Sequence, residues 1–151
     1  MTATYAKTFE VIWADLDANA HMRHSAYADY GAQARIGFLT EHGFGLAEMH
    51  RHRVGPILFR EDLRYLREVR ANDRITVTCE AVGVSPNGKH WKIRHRILRR
   101  DGEVACTIEC QGAWFDLAQR KVIPAPPELK AVMDRMPRSE DYAEFSPQGR
   151  S

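Results

Sequence analysis

The feature that most constrains the fold is a single change of hydrophobic period. One helical stripe is followed by a long series of two-residue alternations. Tyr27, Tyr30, Ala34 and Phe38 recur at three- and four-residue steps, which places them along one face of a helix. The pattern predicts a helix over 25–42, with Ser25 as its cap, Asp29 in its first turn and Gly43 as its stop. Downstream, residues 57–69 read as a long extended segment. Ile75, Val77, Cys79 and Ala81 then alternate with polar neighbours, as do Trp91, Ile93, His95 and Ile97, and Val104, Cys106, Ile108, Cys110 and Trp114. Each set reads as a strand with one buried and one more polar face.

The turns fit this reading. Asn87-Gly88 and Asp101-Gly102 fall between alternating runs, where such pairs close hairpins, so the last three strands form an antiparallel meander. Residues 9–13 make a short first strand. Pro124, Pro126 and Pro127 end the last strand, and a short helix follows over 128–133. The fold class is therefore α+β: one strand, one long helix, then four strands. A single helix cannot cover both faces of such a sheet, so the sheet is expected to curl around the helix, with a second subunit covering the remaining edge. Residues 1–137 are read as one domain, and 138–151 as a polar tail that frays.

Composition removes several function classes. Twenty-two basic residues against 20 acidic ones leave a net charge of +2, too little for a bulk pull toward nucleic acid or an anionic membrane. No apolar run is long enough to span a bilayer, and 1–15 lacks the basic and apolar regions of a secretory signal. Cys79, Cys106 and Cys110 form no paired spacing and are expected to be reduced. A cytoplasmic protein is the resulting expectation.

The chemistry-bearing stretch runs from Trp13 to Tyr27, with Asp15, Asp17, His21, Arg23 and His24 between a strand end and a helix start. Two carboxylates beside unpaired helix amides suit chemistry that develops negative charge on oxygen. From spacing alone, Asp17 reads equally as a turn or capping carboxylate. Asp15 reads as a turn support. His21 and His24 read as loop histidines or as donors and bases, and the four side chains could also be imagined around a metal. No tight ligand spacing favours the metal reading, so no metal is expected.

On these residues the chain resembles the 4-hydroxybenzoyl-CoA thioesterase-like branch of the hotdog superfamily. The family pattern is an Asp-x-Asp after the first strand, a short loop and a Tyr one turn into the helix, matched by Asp15, Asp17 and Tyr27, with His21 typical of one large bacterial subgroup. The likeness extends through Leu63 to Arg67, Ala71 to Asp73, Asp101-Gly102 and Phe115 to Pro126. It implies hydrolysis of an acyl-CoA thioester by Asp17, acting as nucleophile or general base, with a backbone amide near His24 polarising the carbonyl. Arg23 and His24 depart from the subgroup, which carries Asn just after the His.

The resemblance also implies a homodimer or homotetramer and a small acyl-CoA substrate. No cofactor is implied, because coenzyme A belongs to the substrate. Arg23 is a candidate for an acidic acyl group or a CoA phosphate. Tyr27 is a core residue whose hydroxyl could reach the site, and Lys89 is a candidate for CoA phosphates. Two alternatives stay open: a hotdog hydratase or dehydratase using His21 with Asp17, and a non-catalytic acyl-thioester-binding protein.

Overall fold

The computed structural model describes residues 4–147. Its elements are β1 (Ala6–Glu10), α1 (Tyr27–Glu41), α2 (Leu46–His52), β2 (Val54–Tyr65), β3 (Arg74–Thr78), β4 (Glu80–Val84), β5 (His90–Leu98), β6 (Val104–Asp116), β7 (Lys121–Ile123) and α3 (Pro127–Met133). The strands form one antiparallel sheet with the order β1-β3-β5-β6-β2; β4 joins β5 and β7 joins β6. The sheet lies against the long helix in the hotdog arrangement. The hairpin turns fall where the sequence puts them, with Gly88 at φ 73° and Gly102 at φ 86°, the left-handed region where glycine carries no Cβ penalty.

Helix α1 spans two apolar clusters. Near its start, Tyr27 and Ala34 pack with Ile75, Val77, Ile97 and Ile108. Near its end, Phe38 and Leu39 pack with Trp91, Ile93, Trp114 and Leu129. Gly31 lies opposite the seam: a Cβ there would stand 3.1 Å from Ile108 Cδ1 and 3.3 Å from the His95 ring, so glycine lets helix and sheet approach closely. At the same seam His95 is fully buried. Arg35 Nη1 lies 3.1 Å from His95 Nε2 and 3.2 Å from Cys110 Sγ, and His95 Nδ1 lies 2.8 Å from the Thr78 carbonyl. A guanidinium only donates, so Nε2 accepts and Nδ1–H donates to Thr78. This fixes a neutral imidazole. All three cysteines are buried and unpaired in disulfides, and burial pushes the Cys106 and Cys110 thiols up to about 11.

Several expectations change. The first strand ends at Glu10, and Trp13–Asp15 forms a 3₁₀ turn. Ser25 does not cap α1: it sits in a 3₁₀ turn, His24–Ala26, and its Oγ accepts from Arg23 at 2.8 Å. Helix α2 was not anticipated; seven residues are too few for a helical period to stand out. Residues 74–84 divide at Cys79, whose N–H bonds the Tyr5 carbonyl at 3.0 Å. The stretch from 138 is a strap rather than a frayed tail. Ala81 N–H bonds Pro137 O at 2.8 Å, Ser139 N–H bonds Ala81 O at 2.9 Å, and the amides of Ala143 and Phe145 reach the carbonyls of Val82 and Val84. Arg94 also holds Asp141 at 3.0 Å. The last part of that stretch, 148–151, lies outside the described residues. Among the described residues, no helix is long and apolar enough to cross a membrane.

Candidate active site

The loop between β1 and α1 is stapled to the strand system by backbone bonds. Met22 N–H meets Val69 O at 2.7 Å, Ala71 N–H meets Ala20 O at 3.2 Å, and His21 bridges Arg70. Inside the loop a tight turn forms, with Ala20 at φ 61°. Asp17 N–H donates to His21 O at 2.8 Å, while the amides of Asn19 and His21 donate to Asp17 Oδ1 at 2.9 and 3.1 Å. Both side-chain bonds use Oδ1, leaving Oδ2 outside them. The His21 amide, with the Asn19 amide adding to it, holds the carboxyl below the usual aspartate range. Asp17 is thus an exposed, oriented and ionised carboxylate.

Asp15 turns the other way. Its Oδ1 lies 3.0 Å from Arg23 Nη2, its Oδ2 accepts from Tyr30 at 2.7 Å, and its carbonyl accepts the Arg23 amide at 2.7 Å. This carboxylate ties the loop to α1. It also matches the charge of Arg23, whose guanidinium is engaged by Asp15 and Ser25 rather than standing free. The ring of His21 faces Glu68, with Nε2 3.1 Å from Oε2. The side chains of Asp15, Asp17 and His21 thus take separate partners.

At the helix start, Ala26 N–H closes onto Arg23 O at 2.9 Å. The His24 and Ser25 amides precede that first bond, so the helix itself does not use them. Tyr65 reaches across from β2 to donate to His24 O at 3.2 Å, and its ring packs edge-on against Tyr27 at 5.2 Å. The Tyr27 hydroxyl is raised above its ordinary value, chiefly by burial. Tyr65 and Glu68 are part of this neighbourhood, although no local motif marks them. Only β2 pairing with β6, and the loop's contact with 68–71, bring them in.

The structure does not bring Lys89 here. Its carbonyl accepts from Trp114 N–H at 3.0 Å, whereas Leu66, just beyond β2, bonds Ala105. Ala105 and Trp114 lie near opposite ends of β6, roughly 30 Å apart along an extended strand.

The comparisons with known proteins agree with this architecture. A family model described as the thioesterase-like superfamily matches residues 11–133. The chain is 26% identical over 126 residues to L-carnitine dehydrogenase/betainyl-CoA thioesterase of Agrobacterium fabrum, covering 83% of this chain and 25% of that protein. It thus spans about a quarter of the length of that curated relative. Among solved structures, a hypothetical protein from Staphylococcus aureus in complex with CoA superposes with a TM-score of 0.79 at 20% identity, over 98% of this chain and 92% of the other. A DHNA-CoA thioesterase from the same species gives 0.79 at 17% identity, over 87% and 89%. At these identities the likeness is one of fold.

Proposed function

The chain belongs to the thioesterase-like superfamily, and from that premise we propose that it hydrolyses a small acyl-CoA thioester with Asp17 as the catalytic carboxylate. The observation that carries this reading is the pairing of an ionised Asp17, pinned through Oδ1, with the unclaimed amides of His24 and Ser25 at a helix start. A thioester carbonyl held by such an amide gains stabilisation as its oxygen becomes negative, about 3 kcal/mol for a donor of ordinary strength. Asp17 then acts in one of two ways. As nucleophile, its oxygen bonds the carbonyl carbon, the C–S bond breaks, and the CoA thiolate leaves. Water cleaves the resulting anhydride, releasing the acid and regenerating the carboxylate. As general base, Asp17 takes a proton from water while the water oxygen bonds the same carbon; the C–S bond then breaks, the CoA thiolate leaves and takes up that proton, and the carboxylate is regenerated. Neither route needs a cofactor.

An apolar groove of about 440 Å³ supports the acyl half of the reading. It follows α1 from Asp29 to Leu39 and is floored by Trp91, Ile93 and Trp114. Hydration or dehydration would need an imidazole working with Asp17, and the His21 ring turns to Glu68 instead. Arg23, already matched by Asp15, gives no reason to prefer an acidic acyl group.

A homodimer or homotetramer is supported by β2, which pairs only with β6 among the described residues and leaves Leu58 and Tyr65 exposed, with Leu66 just beyond it. The reduced, buried thiols support a cytoplasmic setting. The test is thiol release from a panel of aromatic, aliphatic and betainyl CoA thioesters. Turnover of at least one class is expected. Stoichiometric binding without thiol release from any of them would replace hydrolysis with acyl-thioester binding.

A further inference from the structure

On the face of the sheet turned away from α1, one cavity of about 600 Å³ takes no part in the site above. Its floor is a row across three strands, Arg60 on β2, Gln111 on β6 and Lys92 on β5, in register with one another. Phe59, the extra residue where the β2 register shifts between Leu58 and Arg60, stands on one side. Phe145 of the strap lines it as well, with the Lys92 ammonium 4.4 Å from its ring centroid. Beneath Phe59, with ring centroids 5.7 Å apart, lies His90.

Three observations mark this as a built site. His90 is 1% exposed, and neither ring nitrogen has a hydrogen-bond partner among the described residues. Buried imidazoles are normally bonded, and one left open next to a cavity is a donor and an acceptor awaiting a ligand. Burial and the nearby Lys89 charge lower its proton affinity, so it presents one N–H and one bare nitrogen. Second, the carboxylates one step along this face, Asp62 and Glu109, pair with Arg64 and Arg94, and neither Arg60 nor Lys92 has an ion pair among the described residues. Arg94, one step along the same face, is saturated by Glu80, Glu109 and Asp141. Third, aromatic rings stand beside the two cations, an arrangement that receives a flat ring together with an anion.

We infer that the Arg60–Gln111–Lys92 row with His90 and the Phe59 and Phe145 rings is a binding site for a phosphate monoester carrying a flat ring, a nucleotide in chemical class. Arg60 and Lys92 take the phosphate, Gln111 and His90 supply neutral hydrogen bonds, and the rings hold the base. The site stands apart from the hydrolysis reading. Along β2, Tyr65 shares the register of the buried Cys106 and faces α1, while Arg60 belongs to the opposite set.

The experiment is calorimetric titration of the full chain with AMP, adenosine and inorganic phosphate, with His90 ring resonances followed by NMR. AMP is expected to bind once per chain, at least tenfold tighter than either part alone, and to shift the His90 signals. Arg60→Gln and Lys92→Gln each weaken AMP at least tenfold. Phe59→Leu weakens AMP and leaves inorganic phosphate unchanged, while Asp17→Asn changes neither. Thermal melts check that each variant is folded. Competition with CoA separates the sources. If CoA displaces AMP and Arg60→Gln raises KM for acyl-CoA at constant kcat, the nucleotide is the far end of a substrate. If CoA does not compete, it is a separate small molecule. No AMP binding at millimolar concentration, or binding that survives the paired Arg60→Gln and Lys92→Gln change, overturns the site.

Discussion

At the scale of residues, the two aspartates of one short motif have been given different work by their neighbours. Asp15 spends its oxygens on Arg23 and Tyr30, while Asp17 keeps Oδ2 out of its two amide bonds. We predict that Asp17→Asn lowers kcat at least a hundredfold in a thiol-release assay while KM stays within a few-fold. Because the amides hold the Asp17 carboxyl below the ordinary aspartate range, the charged form persists into mild acid. The acid limb of kcat/KM should therefore fall below the pH where an unperturbed aspartate titrates, about 4. His24→Ala should keep most of kcat, because the proposed donor at that position is backbone, and the one contact described for His24 runs from Tyr65 to its carbonyl. Loss of activity in that variant would make the imidazole the base instead. The Asp-x-Asp loop was legible in the sequence because its members are contiguous. Tyr65, 48 positions beyond Asp17 in the chain, was not legible, because only tertiary pairing brings it to His24.

At the scale of elements, the strands and the long helix could be read because their periods run for nine to fifteen residues in β5, β6 and α1. Helix α2 and strand β7 were lost because seven and three residues hold too little of any period. The strap is not legible in the sequence because its order comes from β4 carbonyls and amides and from Arg94, all distant from it along the chain. Two tests belong here. Gly112 on β6 lies where an added Cβ would run into the Ile57 carbonyl and the Trp91 ring. Backbone cannot retreat as a flexible side chain can, so Gly112→Ala should cost about 3 kcal/mol or more in denaturant unfolding. His95 joins helix to sheet as a neutral ring, its pKa lowered to about 3 by burial and by Arg35. The unfolded chain binds that proton near pH 6.5 and the folded chain does not, so the unfolded state holds more protons between those values. Stability should be complete above about pH 6.5 and should fall as pH drops toward 3. His95→Gln should flatten that slope in thermal melts taken across the range.

At the scale of the whole molecule, β2 bears on both the proposed assembly and the order of folding. Its outer edge is unpaired among the described residues and presents exposed Leu58 and Tyr65, so sedimentation at micromolar concentration should show a dimer or larger, and Leu58→Asp should shift it toward monomer. A wild-type chain that sediments as a monomer would sink the assembly proposal. The inner edge has a different history. Tyr65 pairs with Cys106 and Val54 with Asp116, so β2 leaves the ribosome roughly 40 to 60 residues before its partner exists. At the usual pace of synthesis that gap lasts about 2 to 12 s, far longer than a hairpin takes to close. Throughout it the nascent chain shows two bare strand edges. Translation speed between residues 66 and 103 therefore sets how long neighbouring polysomal chains can capture one another, and a pause there should raise the insoluble fraction without changing a single residue of the finished protein.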